Sequence, residues 1–281
     1  MTDPDDAELR ERCLRVRESI VRMCANPDGG HLGGSMSMVE ILVTLYHRVL
    51  RIDPAEPTAP DRDLLILSKG HGAIGLYAAL AERGFFPADW LDRYAAADEP
   101  LTAHPTRAVP GVEMPTGSLG HGLSVGAGFA LDFRLTGSDR RCFVILGDGE
   151  LQEGSNWEAA MAASAHRLDR LVAVVDRNRL QITGPTEDAV GLEPLADRWR
   201  SFGWEVVEVD GHDLTALHTA LGEAPRVSGR PTVVIAHTVK GKGLPYIEGQ
   251  TRSHYARLTG KPAKRALAVL GAHRRRTEQS A

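Results

Sequence analysis

Phe143-Val144-Ile145-Leu146-Gly147-Asp148-Gly149-Glu150 runs an apolar stretch into an abrupt Gly-Asp-Gly turn, and Leu171 to Val175 followed by Asp176-Arg177-Asn178 is built the same way. Short apolar runs bounded by turn residues read as buried strands, and the segment between these two reads as one helix. A parallel strand–helix–strand unit opens both strand ends at one edge of its sheet, where open α/β sheets bind ligands. Asp148 and Asn178 are therefore expected to converge on one cation. Two hard oxygen ligands that leave most positions free suit Mg2+, or a similar ion such as Ca2+ or Mn2+, completed by phosphate oxygens and water. Gly147 and Gly149 let a diphosphate approach the main chain closely.

Outward from this unit, Leu64–Leu67, Glu205–Val209 and Thr232–Ala236 read as further strands. Apolar residues at helical spacing predict a helix over 8–24, a buried one over 36–50, and small-residue helices over 73–83 and 122–135. Another helix, capped by Asp213 or Thr215, falls between the last two strands. Residues 84–120 are irregular and carry five prolines, which is long for a loop without function. Strands alternating with helices make an α/β fold, a parallel sheet covered by helices on both faces. One domain over 1–260 is expected, with 261–281 as a helical or frayed appendage.

The 281 residues are 42% hydrophobic and 25% charged with a net charge of −4, an ordinary globular composition with no general attraction to nucleic acid or anionic membrane. The basic runs 261–265 and 274–276 read as a solvated face and tail. No apolar stretch reaches the ~18 residues of a membrane span. The acidic start Met1–Glu11 is unlike a secretory leader, so the cytoplasm is expected. Cys13, Cys24 and Cys142 lack metal or redox spacing and read as buried thiols.

Of eleven histidines, six lie in Gly- or Pro-marked loops at strand ends or helix starts: His31, His71, His104, His121, His237 and His254. A lone loop histidine is ordinarily satisfied by backbone or water. Six beside a diphosphate site suggest donors to phosphate and sugar oxygens, or proton carriers near pH 7. The glycines of 117–128 lack the strand and ribose carboxylate of a dinucleotide site. Lys69 is followed by Gly rather than Ser or Thr, which excludes a Walker loop, and Ser118 and Ser155 have no nucleophile-elbow context.

Six segments together resemble the N-terminal half of transketolase, most closely the separate N-terminal subunit of two-chain transketolases. They are Gly29–Leu42, Asp61–Gly72, Pro110–Gly122, Gly147–Gly154, Asp176–Gly184 and Ala236–Gly243, and the likeness runs from about residue 8 to 258. The Gly-Asp-Gly…Asn pattern alone marks any thiamine diphosphate enzyme; all six segments are specific to the transketolase group. The resemblance implies the thiamine diphosphate-binding fold, with Asp148, Asn178 and the main-chain oxygen of Leu180 on the metal. It puts His71 and Gly149 on the diphosphate and Gly117 and Leu119 on the aminopyrimidine side, with Ser118, Gly147 and Glu150 completing the cofactor set. His31, His104 and His254 would line the substrate channel, and Glu153 would lie near the subunit boundary as a relay or structural carboxylate. Three departures stand out: His121 replaces a common Gln, Ser118 a Pro of full-length enzymes, and Tyr255-Ala-Arg-Leu258 the usual Gly-Lys-Ala-Pro.

A full transketolase is more than twice this length. The missing portion carries the pyrimidine-binding domain, the glutamate that activates the cofactor, and the sugar-phosphate pocket. The resemblance therefore implies half an enzyme, completed by a second, pyrimidine-domain polypeptide in an α2β2 assembly. The expected activity moves a two-carbon ketol unit from a ketose or ketose phosphate to an aldose acceptor. Two rivals are a protein like 1-deoxyxylulose-phosphate synthase or a 2-oxoacid decarboxylase, and a cofactor-binding scaffold without chemistry.

Overall fold

Strand positions that alternate between two faces must find apolar cover on both if every residue is apolar. The computed structural model, which describes residues 4–225 and 227–280, meets that requirement with a five-stranded sheet. Its strands are β1 (Leu64–Leu67), β2 (Cys142–Gly147), β3 (Leu171–Arg177), β4 (Glu205–Asp210) and β5 (Thr232–His237). The order is β1-β2-β3-β5-β4 and every pairing is parallel. The first three strands are buried throughout, whereas β4, an edge strand bearing Glu205 and Glu208, stays half exposed. Charges on an edge discourage pairing with another chain.

The helices are α1 (Asp6–Cys24), α2 (Leu32–Met36), α3 (Val39–Thr44), α4 (Ala73–Arg83), α5 (Gly122–Thr136), α6 (Gly154–Ala165), α7 (Thr186–Ala189), α8 (Leu195–Ser201), α9 (Leu214–Gly222) and α10 (Lys261–Ser280). Leu65, Leu67, Phe143, Ile145, Val172 and Val174 face a layer built from α1, α3, α4 and α9. Their alternates Leu64, Ile66, Val144, Leu146, Ala173 and Val175 face α5, α6 and α8. Gly126 lets α5 lie close on the sheet, since a Cβ there would meet Val144 at 2.5 Å. Asp5 caps α1 by accepting from Glu8 N at 2.8 Å, and Asp213 caps α9 from Ala216 N at 3.0 Å.

The helix expected over 36–50 is interrupted. It breaks at Ser37–Met38 between α2 and α3, and α3 runs on into a π-helical turn over Leu45–Val49. Ser37 turns its hydroxyl to the buried Asp176 carboxylate at 2.6 Å, a partner far away in sequence. The short helices α7 and α8 were not anticipated, because 186–201 is polar outside Leu195 and Trp199. Helix α10 lies along α1 with Ala266 and Leu270 buried. Arg274, read from sequence as part of a solvated tail, pairs with Glu11 and Glu18 of α1 at 3.0 Å.

The register aligns Gly147 with Asp176, and Arg177 with His237. Asp148 and Asn178 thus leave the sheet side by side at its C-terminal edge.

Candidate cofactor and metal site

At that edge β2 ends in Gly147-Asp148, and a 3-10 turn over Gly149–Gln152 carries the chain into α6. β3 ends in the tight turn Asn178-Arg179-Leu180, with Arg179 in the left-handed region at φ 65°. The buried Asp148 carboxylate bridges the two strand ends. Its Oδ1 accepts from Gly149 N at 2.8 Å, and its Oδ2 accepts from Arg179 N at 2.5 Å and from Arg177 at 3.2 Å. Asn178 Oδ1 accepts from Leu180 N at 3.1 Å, and the Leu180 carbonyl accepts from Lys240 Nζ at 2.9 Å.

Counting lone pairs tests whether these oxygens fit a cation. An ionised carboxylate offers about four acceptor sites and an amide or main-chain carbonyl two. Asp148 has three engaged, Asn178 Oδ1 one and the Leu180 oxygen one. Each keeps an acceptor position, all three residues line one cavity, and the set is oxygen only, as a hard divalent ion requires. Among the described residues no group of three His, Cys, Asp or Glu side chains could hold a metal unaided. An ion here needs further ligands from outside the chain.

The cavity, about 400 Å3, brings together His71, Gly117, Leu119, Gly147, Asp148, Gly149, Glu150, Glu153, Asn178, Leu180 and His254 of the residues singled out from sequence. His31 completes its rim through ring contacts, with centroids 5.5 Å from His71, 5.3 Å from His254 and 6.1 Å from His104. Gly117 abuts the His104 ring, where a Cβ would meet it at 2.8 Å. Ser118 is set apart: it lines a neighbouring hollow with Thr116 and His121, and its hydroxyl sits 3.5 Å from His121 Nδ1. Of the other loop histidines, His121 is exposed and His237 turns to Glu208 at 3.0 Å. Glu150 lines the cavity, yet its carboxylate is occupied by Ser68 Oγ at 2.5 Å, Gly120 N at 2.9 Å and Gly147 N at 3.0 Å. It ties the 117–122 loop to the end of β2.

Sequence reasoning left out three charged groups. Lys69 follows β1, is 1% exposed and pairs with Asp176, while its Nζ also donates to Gly34 O at 2.8 Å. Asp176 further accepts from Ser37, Thr238 and Asn178. Burial pushes its carboxyl up, but Lys69 and these bonds outweigh that and hold it below the usual range. Arg177, wholly buried, spans from Asp148 to Thr186, Glu187 and Glu193. Lys240 follows β5 and faces both Leu180 O and, at 3.2 Å, His254 Nδ1. The readable signal was position: each is a charged residue at or just beyond a strand's C-terminal end.

Burial and nearby positive charge govern the electrostatics. His31 is lowered to about 4 by burial, then by His104 and Lys240, and His254 is lowered to about 4 by burial, then by Lys240 and His31. His71 falls further still, through burial and Lys69. All three rings are neutral at pH 7, each able to donate one hydrogen bond and accept another. Lys240 is lowered to about 8 by burial and Lys69, with Asp148 and Asp176 opposing.

A family model described as transketolase, thiamine diphosphate binding domain, matches residues 13–277. The chain belongs to this family. One of the two subunits of an apulose-4-phosphate transketolase from Actinobacillus succinogenes is 46% identical over 94% of this chain and 96% of its own length. A 6-deoxy-6-sulfo-D-fructose transketolase subunit of a Clostridium species is 45% identical, covering 94% of this chain and 96% of its own. The crystal structure of transketolase from Campylobacter jejuni superposes with a TM-score of 0.87 at 30% identity, covering 94% of this chain but 43% of that one. This transketolase domain therefore matches the subunit-type relatives end to end and spans less than half of that single-chain enzyme. Its fold is the thiamine diphosphate-binding fold, and thiamine diphosphate is its cofactor.

Proposed function

We propose that this chain is the diphosphate-binding subunit of a two-chain transketolase. Joined to a pyrimidine-domain polypeptide in an α2β2 assembly, it would move a two-carbon ketol unit from a ketose or ketose phosphate to an aldose. One observation carries the reading: an oxygen-lined, glycine-walled cavity lies at the ends of β2 and β3 with four histidines around its rim. Near-complete coverage of relatives named as subunits supports the division into two chains.

In this reading Asp148, Asn178 and the Leu180 carbonyl hold Mg2+, and Gly147, Gly149 and His71 form the diphosphate cradle. Bound thiamine diphosphate supplies a nucleophilic carbon and an electron sink for breaking a carbon–carbon bond. The chain's own part is positioning and proton handling. Neutral His31, His104 and His254 donate to sugar hydroxyls and to the oxygen that gains charge as the bond breaks, a role suited to preorganised donors. His254 Nδ1, next to Lys240 Nζ at 3.2 Å, can exchange a proton with that amine, whose pKa near 8 is matched to neutral pH. Glu153, exposed at the cavity edge, is available to a residue of the second polypeptide.

The test is co-purification with the candidate pyrimidine-domain polypeptide, followed by an assay of ketose consumption coupled to aldose formation. Ketose turnover by the complex and none by either chain alone is the expected result. Pyruvate consumption with CO2 release and no ketose turnover would overturn the reading.

A further inference from the structure

One exposed aromatic ring stands against the histidine cluster. Tyr255 is 45% exposed, and its ring meets His31 edge-on, with centroids 4.9 Å apart and planes at 87°. The residue is held at both ends. Its hydroxyl donates to the Asp28 main-chain oxygen, and beside it Gly30 and Ala256 exchange hydrogen bonds of 3.0 and 2.9 Å. A ring fixed in this way presents a large contact face with little rotamer entropy left to lose. Nothing in the core requires it. Its place corresponds to the Gly of the family's usual Gly-Lys-Ala-Pro segment, so the ring adds to the rim of the cavity rather than completing the fold.

We propose that Tyr255 is a specificity-determining wall of the substrate channel, its ring in contact with the carbon chain of the ketose or aldose that His31 holds. The proposal rests on the ketol-transfer reading. Carbohydrate C–H bonds gain dispersion contact against an aromatic face, and a wall beside His31 limits which substituents pass at that point. The alternative is a staple, in which Tyr255 matters only because its hydroxyl joins the 28–30 turn to the 254–256 segment. The two roles separate by chemistry: a wall needs the ring, a staple needs the hydroxyl.

The experiment compares Tyr255→Gly and Tyr255→Phe with the wild-type two-chain complex loaded with cofactor and Mg2+. Fructose 6-phosphate, xylulose 5-phosphate and fructose serve as donors, and thiamine diphosphate affinity is measured in parallel. Removing the ring should raise donor KM about three- to tenfold, the range of one aromatic contact, and change the ranking of the donors. kcat and cofactor affinity should hold, and the Phe variant should keep the wild-type KM. Unchanged KM and ranking in Tyr255→Gly would overturn the proposal. So would a Phe variant that reproduces the Gly variant's loss, or a loss confined to kcat and cofactor affinity. Absence of ketol transfer by the wild-type complex would instead overturn the reading beneath it.

Discussion

Asp148→Asn probes the metal site with almost no change in shape. The free acceptor position of the carboxylate lies on Oδ1, since that atom takes only Gly149 N whereas Oδ2 takes Arg179 N and Arg177. The asparagine carbonyl keeps the two donors on the Oδ2 side, which turns its NH2 toward Gly149 N and toward the cation. The cost to the cofactor-free fold is one lost hydrogen bond and one donor facing a donor, about 1–2 kcal/mol. Arg177 is not orphaned, because Thr186, Glu187 and Glu193 still receive it. The cation loses its one charged protein ligand. Removing one partner of a buried charge pair costs about 3–5 kcal/mol, or about 150- to 4,000-fold in affinity. Calorimetric titration of thiamine diphosphate into the two-chain complex, with Mg2+ and again with EDTA, reads this directly. The Mg2+-dependent gain in affinity should vanish while the EDTA value holds. A gain that survives within about tenfold of wild type, less than half of that free energy, would refute the assignment of Asp148.

Three further outcomes follow from the same geometry. Lys69→Met leaves Asp176 buried with neutral donors only, which should lower stability by about 3–5 kcal/mol; adding Asp176→Asn should restore part of it in guanidinium unfolding, and no recovery would refute the pairing argument. Burial raises the Glu40 carboxyl, but Arg17 and His212 outweigh it and lower its pKa from 4.5 to about 2. That stabilisation is complete above pH 4.5 and is lost as pH falls toward 2, so wild type should lose on the order of 3 kcal/mol more than Glu40→Gln across that window; parallel pH profiles would contradict it. A Cβ at Gly70 would sit 2.6 Å from Gly117 N and the Thr116 carbonyl carbon, so Gly70→Ala should displace the 116–119 segment and weaken cofactor binding about tenfold or more, by analogy with loss of a supporting contact around a metal site. Unaltered affinity in that variant would remove the 117–119 loop from the binding surface.

The sheet was legible because its signal is local. Apolar runs such as Cys142–Leu146 and Leu171–Val175 are buried at every position, and a strand covered on both faces writes that directly into sequence. The break at Ser37–Met38 was not legible, since its cause is a hydroxyl reaching Asp176 from another part of the chain. Among the loop histidines, His31, His71, His104 and His254 converge. His237 sits at the same sheet edge, but its ring is drawn outward by Glu208 on the edge strand. Position along a sheet can be read from pattern; the direction of a side chain depends on which neighbour reaches it first. For the same reason the sequence reading assigned Lys69 and Lys240 no role: a lysine beside a glycine is commonplace until its partner is known.

The charge inside the cleft explains why ion and diphosphate should bind together. Asp148, Asp176 and Glu150 bring buried carboxylates, answered by Lys69, Arg177 and Lys240. Lys69 is committed to Asp176, and Arg177 is shared with Glu187 and Glu193 outside the cleft. Lys240, with a pKa near 8, is only partly charged in the neutral range. A bare diphosphate would meet little spare positive charge, and a bare divalent ion would find three oxygens already hydrogen-bonded. Together they arrive close to neutral, the ion taking one acceptor position from each oxygen and the diphosphate filling the rest of its shell. Any negative charge left over favours protonation of the neighbouring imidazoles, so their pKa values should rise from about 4 when the cleft is filled. The histidines that meet the sugar are then moved toward the range where proton transfer is efficient by the cofactor itself, not by a carboxylate of this chain.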